Sequence, residues 1–252
     1  MTQFAHDHIV PDKLSNQSKK QQVAQMFNSI AFKYDFLNRF LSAGIDIYWR
    51  KKAIAQIEHL QPKNVLDVAT GTADVALMTH KMLHPKKIVG IDISEGMLDF
   101  GRKKIAQKGL TQQIQLFTGD SENIHFPNQS FDAVTVAFGV RNFQNLLLGL
   151  QEMHRVLQQG GKLVVLEFSK PSQPFSRWFY GIYMRFIAPG LVQLFKSDKK
   201  AYEYLNDSVN AFPEGNAFIT IMQQAGFTQV YQKKMTLGIC SIYCGIKAAA
   251  TK

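Results

Sequence analysis

The segment Val65-Leu66-Asp67-Val68-Ala69-Thr70-Gly71-Thr72-Ala73-Asp74 narrows the possible folds of this chain more than any other stretch. A short apolar run breaks into small residues around one glycine and then opens an amphipathic stretch, the pattern of a strand turning tightly into a helix. After Pro62 the same alternation of β-branched runs and amphipathic stretches repeats, which predicts βαβ units and a mostly parallel sheet. Strands are predicted near 64–69, 87–92, 114–118, 131–137 and 162–168, with helices between them. The stretch 146–157 reads as a helix stopped by Gly160 and Gly161.

Around this core the chain divides unevenly. Residues 1–18 mix acidic, basic and amide side chains without an apolar core, so a flexible tail rather than a secretory signal is expected. The spacing of Val23, Met26, Phe27 and Ile30 predicts N-terminal helices over 19–61, broken near Gly44 and resumed at Trp49. A cofactor-binding core over 62–169 is followed by an aromatic-rich insertion at 170–214, a substrate cap. A helix and a hairpin at 215–247 complete a single domain spanning 19–252. With 252 residues and 46% apolar content, one elaborated domain is favoured over two equal ones.

A parallel strand that ends in a small-residue turn faces the crevice at which open α/β sheets bind nucleotide-like molecules. A dinucleotide fingerprint would need three spaced glycines, and this turn has only Gly71, which disfavours NAD. The next strand ends in Gly90-Ile91-Asp92-Ile93-Ser94. Asp92 is thereby placed to accept both hydroxyls of a ribose, while Ser94 is free to cap the following helix. The third ends in Gly119-Asp120-Ser121, where Asp120 is placed to accept from an adenine amino group. Three such tips in this order point to an S-adenosylmethionine-dependent methyltransferase.

The chain is similar to the ubiquinone/menaquinone biosynthesis C-methyltransferase family over nearly all of 23–247. The resemblance rests on Tyr34-Asp35-Phe36-Leu37-Asn38 through Tyr48-Trp49-Arg50, on Phe138-Gly139-Val140-Arg141-Asn142, and on Arg155-Val156-Leu157 through Gly160-Gly161-Lys162. It rests further on Leu166-Glu167-Phe168-Ser169-Lys170-Pro171 and on Tyr202-Glu203-Tyr204-Leu205 through Phe212-Pro213. It implies a Rossmann-like class I methyltransferase fold of α/β type, seven mostly parallel strands with the last pair antiparallel. It also implies S-adenosylmethionine bound by Thr72, Asp92, Asp120 and Ser121 beside Gly71, with Tyr34 near the methionine end. Two positions depart from the family: Asp46 stands where a histidine is usual, and Ala137 where some members carry a cofactor-contacting serine.

The implied reaction moves a methyl group to a ring carbon of a polyprenylated hydroquinone, most simply demethylmenaquinol to menaquinol, with a ubiquinone precursor as the alternative ring. Such a carbon becomes nucleophilic when a ring hydroxyl ionises, so a phenolate must be stabilised. Arg141 is the candidate for that task and Asn142 for positioning, because both follow the fourth strand tip. A guanidinium stays charged, so Arg141 is expected to act by electrostatics, not as a base. The aromatic residues of 174–196, broken by Arg185 and Pro189-Gly190, read as an interfacial lid rather than a membrane-spanning helix.

Composition limits the rest. A formal net charge of +10 favours anionic partners, nucleic acid or an anionic lipid surface. No Asn-Pro-Pro-Tyr or Asp-Pro-Pro-Tyr segment is present, which disfavours methylation of base amino groups and a nucleic-acid partner. Cys240 and Cys244 share one face of a terminal strand and read as buried thiols of a cytoplasmic protein, not as metal ligands. A peripheral position at the inner membrane surface and a homodimer are both compatible with this pattern. A non-catalytic binding protein on the same fold is the rival from another class.

Overall fold

The computed structural model of the chain describes residues 4–42, 44–171 and 199–249, without the side chains of residues 5, 33–38, 40–41 and 199–202. The expected aromatic lid at 174–196 lies outside the described residues. Two helices, α1 (Lys19–Leu41) and α2 (Ile45–Ile54), precede the alternating core. The core runs β1 (Asn64–Val68), α3 (Asp74–Leu83), β2 (Lys87–Asp92), α4 (Glu95–Gln107), β3 (Ile114–Thr118), β4 (Phe131–Ala137), α5 (Leu146–Val156) and β5 (Leu157–Phe168). After the insertion come α6 (Lys199–Ala211), α7 (Asn216–Gln224), β6 (Thr228–Met235) and β7 (Cys240–Ile246).

The seven strands form one sheet in the order β3-β2-β1-β4-β5-β7-β6, as expected of a class I methyltransferase. β1 is central, with Leu66 opposite Val89 of β2 and Val134 of β4, both parallel. β7 runs antiparallel to β5 and to β6. Strands buried on both faces read as apolar runs, and successive side chains serve opposite cores. Leu66, Val68, Val134 and Val136 pack with Leu150 and Met153 of α5 and Phe218 of α7. Val65 and Ala133 face the other way, toward Trp49, Ile57, Leu98 and Ile105. Cys240 and Cys244 belong to this second core as free thiols, pushed up in pKa by burial.

Local chemistry sets the ends of the helices. Ser94 Oγ accepts from Met97 N at 3.3 Å and starts α4, and Asn145 Oδ1 accepts from Leu148 N at 3.0 Å and starts α5. The glycine pair after α5 differs from its expected role. The helix ends at Val156 and β5 begins at once, and the β4–β5 register slips between the Phe131–Leu157 and Ala133–Lys162 pairs. Gly160, at φ +76, and Gly161 lie inside that slip; a Cβ on Gly161 would meet Asp132 O at 2.9 Å.

Within the stretch expected as a flexible tail, the turn around His6 packs on the domain, while residues 13, 14 and 16–18 are exposed. Residues Ala5–His8 form a 3-10 turn whose His6 ring is fully buried edge-on to Phe212, and Lys19 Nζ donates to His6 O at 2.7 Å. The physical reason is an apolar wall that a local reading of polar residues does not show. Burial holds the His6 imidazole down to about 3, so it enters the core uncharged.

Candidate active site

The turn after β1 departs from ordinary backbone at three places: Ala69, Gly71 and Ala73 have φ of 52°, 55° and 66°. Positive φ at two alanines is stored strain, held by the sheet on either side. Thr70 N donates to Ile91 O at 3.0 Å, tying the turn to β2, and the close approach requires Gly90. A Cβ there would lie 2.8 Å from Thr70 Oγ1 and 2.5 Å from Leu116 Cδ2.

Asp92 is fixed at the tip of β2. One carboxylate oxygen accepts from Gly71 N and the other from Ser94 N, each at 2.8 Å. Burial nonetheless raises its pKa to about 6, because these bonds, with one from the Ile93 backbone, offset only part of the lost hydration. With Ser94 Oγ occupied as the helix cap, Asp92 is not the cap of α4.

These tips border a crevice of about 650 Å³, open at its mouth, between the sheet and α1. Gly71, Asp92, Asp120, Ser121 and Asn142 all line it, so the structure brings five of the eight expected site residues to one place. Asp120 arrives already engaged: Oδ2 accepts from Lys20 Nζ at 2.6 Å and Oδ1 from Glu122 N at 2.9 Å. Lys20 also pairs with Glu122 at 2.8 Å, which ties α1 to the crevice rim.

Thr72 lies next door. A second, smaller cavity shares Ala69, Gly71 and Ala137 with the crevice and is otherwise walled by Arg50, Asp67, Thr70, Thr72, Asp74 and Val75. Thr72 Oγ1 accepts from Lys104 Nζ at 3.0 Å, and Lys104 holds Asp74 at 2.8 Å. Asp67 accepts from Thr70 Oγ1 and Thr135 Oγ1, each at 2.6 Å, and burial pushes it up to about 6. Tyr34 falls on the backbone of α1, but its side chain lies outside the described residues.

Arg141 is placed differently from its expected role. It sits in a 3-10 turn, Val140–Asn142, and is not among the residues lining the crevice. Its guanidinium is buried over the Phe168 ring, and Nη1 donates to Glu167 Oε1 and to Phe138 O at 2.7 Å each. Its Nε finds no hydrogen-bond acceptor among the described residues. Burial raises the pKa of Glu167, while the Arg141 charge pulls it back. Asn142, by contrast, faces the crevice and accepts from the Tyr204 hydroxyl of α6 at 3.0 Å.

Sequence reasoning missed Lys20, Arg50, Asp67 and Glu167. Three of these lay inside quoted motifs, and for Asp67 and Glu167 the signal was a carboxylate in an apolar run. Lys20 carried no local signal, since its partner is 100 residues away.

A sequence profile of the ubiE/COQ5 methyltransferase family matches residues 15–247. The chain is 43% identical to a demethylmenaquinone methyltransferase of Bacteroides fragilis over 234 residues, 92% of this chain and 96% of that one. Identity to the ubiquinone/menaquinone biosynthesis C-methyltransferase UbiE of Geobacter sulfurreducens is 43%, over 91% and 90% of the two chains. Among solved structures, an S-adenosylmethionine-dependent methyltransferase from Thermotoga maritima aligns with a TM-score of 0.59 at 18% identity, covering 88% of this chain and 98% of that one. The [4+2]-cyclase SpnF aligns at 0.62 and 15% identity, covering 92% and 97%, so the fold by itself does not fix the reaction.

Proposed function

The chain belongs to the ubiE/COQ5 methyltransferase family, with S-adenosylmethionine as its cofactor, and from that premise we propose that it methylates a ring carbon of a polyprenylated hydroquinone, converting demethylmenaquinol to menaquinol. The names of relatives more than 40% identical over almost the whole chain support this substrate class. The Geobacter relative, named for both pathways, keeps a ubiquinone precursor as the second reading.

The residues fit the cofactor in shape and in chemistry. A crevice with a carboxylate at its β2 tip lies beside a smaller, charged cavity that shares Gly71 with it, an arrangement that suits an adenosine joined to an amino acid. In this reading Asp92 accepts from the ribose hydroxyls, Gly71 allows close approach, and Asp120 with Ser121 takes the adenine end. Thr72, with Tyr34, serves the methionine end. Bound S-adenosylmethionine supplies an electrophilic methyl group on sulfur. The chain's own task is to hold the quinol ring as phenolate. With the cofactor bound, the ring carbon would take the methyl group from sulfur and the ring would release one proton. Asn142 offers its amide N–H groups from the crevice wall, its oxygen being held by Tyr204. Arg141 supplies buried positive charge behind it, with an unused Nε donor.

The observation that carries this reading is Asn142, which touches both the cofactor crevice and α6, the helix that follows the insertion. Delivery of the prenylated ring from a membrane surface belongs to the same reading. It is supported by the exposed Phe32, Ile45, Tyr48 and Leu237, with Lys52 over the Tyr48 ring at 5.6 Å. No helix among the described residues is long and apolar enough to cross a membrane.

The test is transfer of labelled methyl from S-adenosylmethionine to reduced demethylmenaquinol in detergent, with Asp92→Ala and Arg141→Ala alongside. A ring-methylated product lost in both variants is expected. Cofactor binding with no methyl on the quinol would overturn the substrate.

A further inference from the structure

We propose that Arg50 anchors the α-carboxylate of the methionine end of S-adenosylmethionine. The proposal rests on the cofactor placement above and assigns the smaller cavity, which that placement leaves without a cation for the tail. Arg50 projects from α2 and is 7% exposed, so its charge is largely removed from bulk water. Among the described residues it pairs with Asp46, one helical turn earlier, with Nε to Oδ2 at 3.3 Å and no well-directed hydrogen bond at Nε, and its charge also acts on Asp67 and Asp74. Beyond that it lies over the Phe138 ring at 5.4 Å and lines the cavity wall.

A buried guanidinium in this state calls for an anion, since an unmet donor costs as much as a lost hydrogen bond. The other acids of the cavity have nearer partners than Arg50. Asp67 is held by two threonine hydroxyls, and Asp74 by Lys104 at 2.8 Å and Arg39 at 3.5 Å. Arg50 therefore lines a cavity that shares Ala69, Gly71 and Ala137 with the main crevice, with Asp67 on the same wall. A cation and an anion facing one small space match the zwitterion of an amino acid, the carboxylate on Arg50 and the ammonium toward Asp67. Asp46 acts as a positioning residue for Arg50: its carboxylate also accepts from Ser42 Oγ at 2.7 Å, which fixes it at the head of α2. That is a use for the acid standing where the family usually shows histidine.

The experiment is calorimetric titration with two ligands, S-adenosylhomocysteine, which carries the amino-acid tail, and 5′-methylthioadenosine, which lacks it. Wild type, Arg50→Met and Arg50→Lys are compared, with thermal unfolding as the check on folding. Arg50→Met is expected to weaken S-adenosylhomocysteine about ten- to a hundredfold and to leave 5′-methylthioadenosine unchanged. Arg50→Lys, which keeps the charge and loses the fork, should recover part of that loss. Should Arg50→Met not fold, Arg50→Lys carries the test, with a smaller loss confined to the ligand that has the tail. Equal losses for both ligands would make Arg50 a structural residue, and no loss for S-adenosylhomocysteine would remove it from the site; either overturns the proposal while the cofactor reading stands. A wild type that binds neither ligand would overturn the cofactor placement as well.

Discussion

At Asp92 burial and function pull in opposite directions. Its carboxylate is pushed up to about 6 by lost hydration, yet accepting from two hydroxyls favours the ionised form. Binding therefore lowers its pKa, and by linkage cofactor affinity rises with pH through about 6 and levels off above it. Titrations of S-adenosylhomocysteine between pH 5 and 8 should show that rise in wild type and a flat profile in Asp92→Asn. A slope that survives in Asp92→Asn would assign it to Asp67, which titrates in the same range. The Arg141–Glu167 pair poses the complementary problem, because both members are buried. Glu167→Gln leaves a guanidinium with no counter-charge and should lower the unfolding free energy by about 3–5 kcal/mol in urea. A loss below about 1 kcal/mol would mean that water or a rearranged acid replaces the carboxylate.

Among the elements, α5 shows how a local signal and a tertiary contact share one helix. Its apolar face, Leu146, Leu150 and Met153, is fully buried against the sheet, while its first turn depends on a single side chain, Asn145. Asn145→Ala should cost about 1 kcal/mol, read as a lower thermal midpoint with methyl transfer intact. An unchanged midpoint would show that the backbone bonds from Gln144 N and Asn145 N to Glu122 Oε1 already fix the helix start. α1 is held the opposite way, from outside. Lys20 bridges Asp120 and Glu122, and Asn28 Oδ1 accepts from Ser94 Oγ and Gly96 N at 2.8 Å each. The helix that walls the crevice thus takes its position from the strand tips it covers.

For the whole molecule, delivery from a membrane surface as proposed would draw on the +10 charge for long-range attraction and on the exposed aromatic residues for retention after contact. Sedimentation with vesicles rich in anionic lipid should exceed that with neutral vesicles and should fall as salt rises from 0.05 to 0.5 M, where the screening length drops to a few ångströms (~4 Å). Tyr48→Ser should reduce the fraction that resists salt. Equal sedimentation with neutral and anionic vesicles would remove charge from the description of membrane delivery.

The sheet was legible in the chain because strands buried on both faces must be apolar and must end where small residues turn. Those ends place Gly71, Asp92, Asp120 and Ser121 at one edge without any knowledge of packing. The helix stop at Gly160 was misread because a bulge and a C-cap ask for the same residue. The charged side chains were not legible in the same way, since where a guanidinium or an ammonium points depends on partners brought in by the fold. Arg141 follows the right strand tip, yet Glu167, 26 residues on, draws it behind the crevice wall. Lys20 and Asp120 meet across 100 residues, and Arg50 reaches its cavity from a helix outside the core motifs. Backbone geometry at a strand end is a local property of the sequence. The balance between desolvation and a counter-charge is a property of the assembled interior, and the tertiary structure alone decided it.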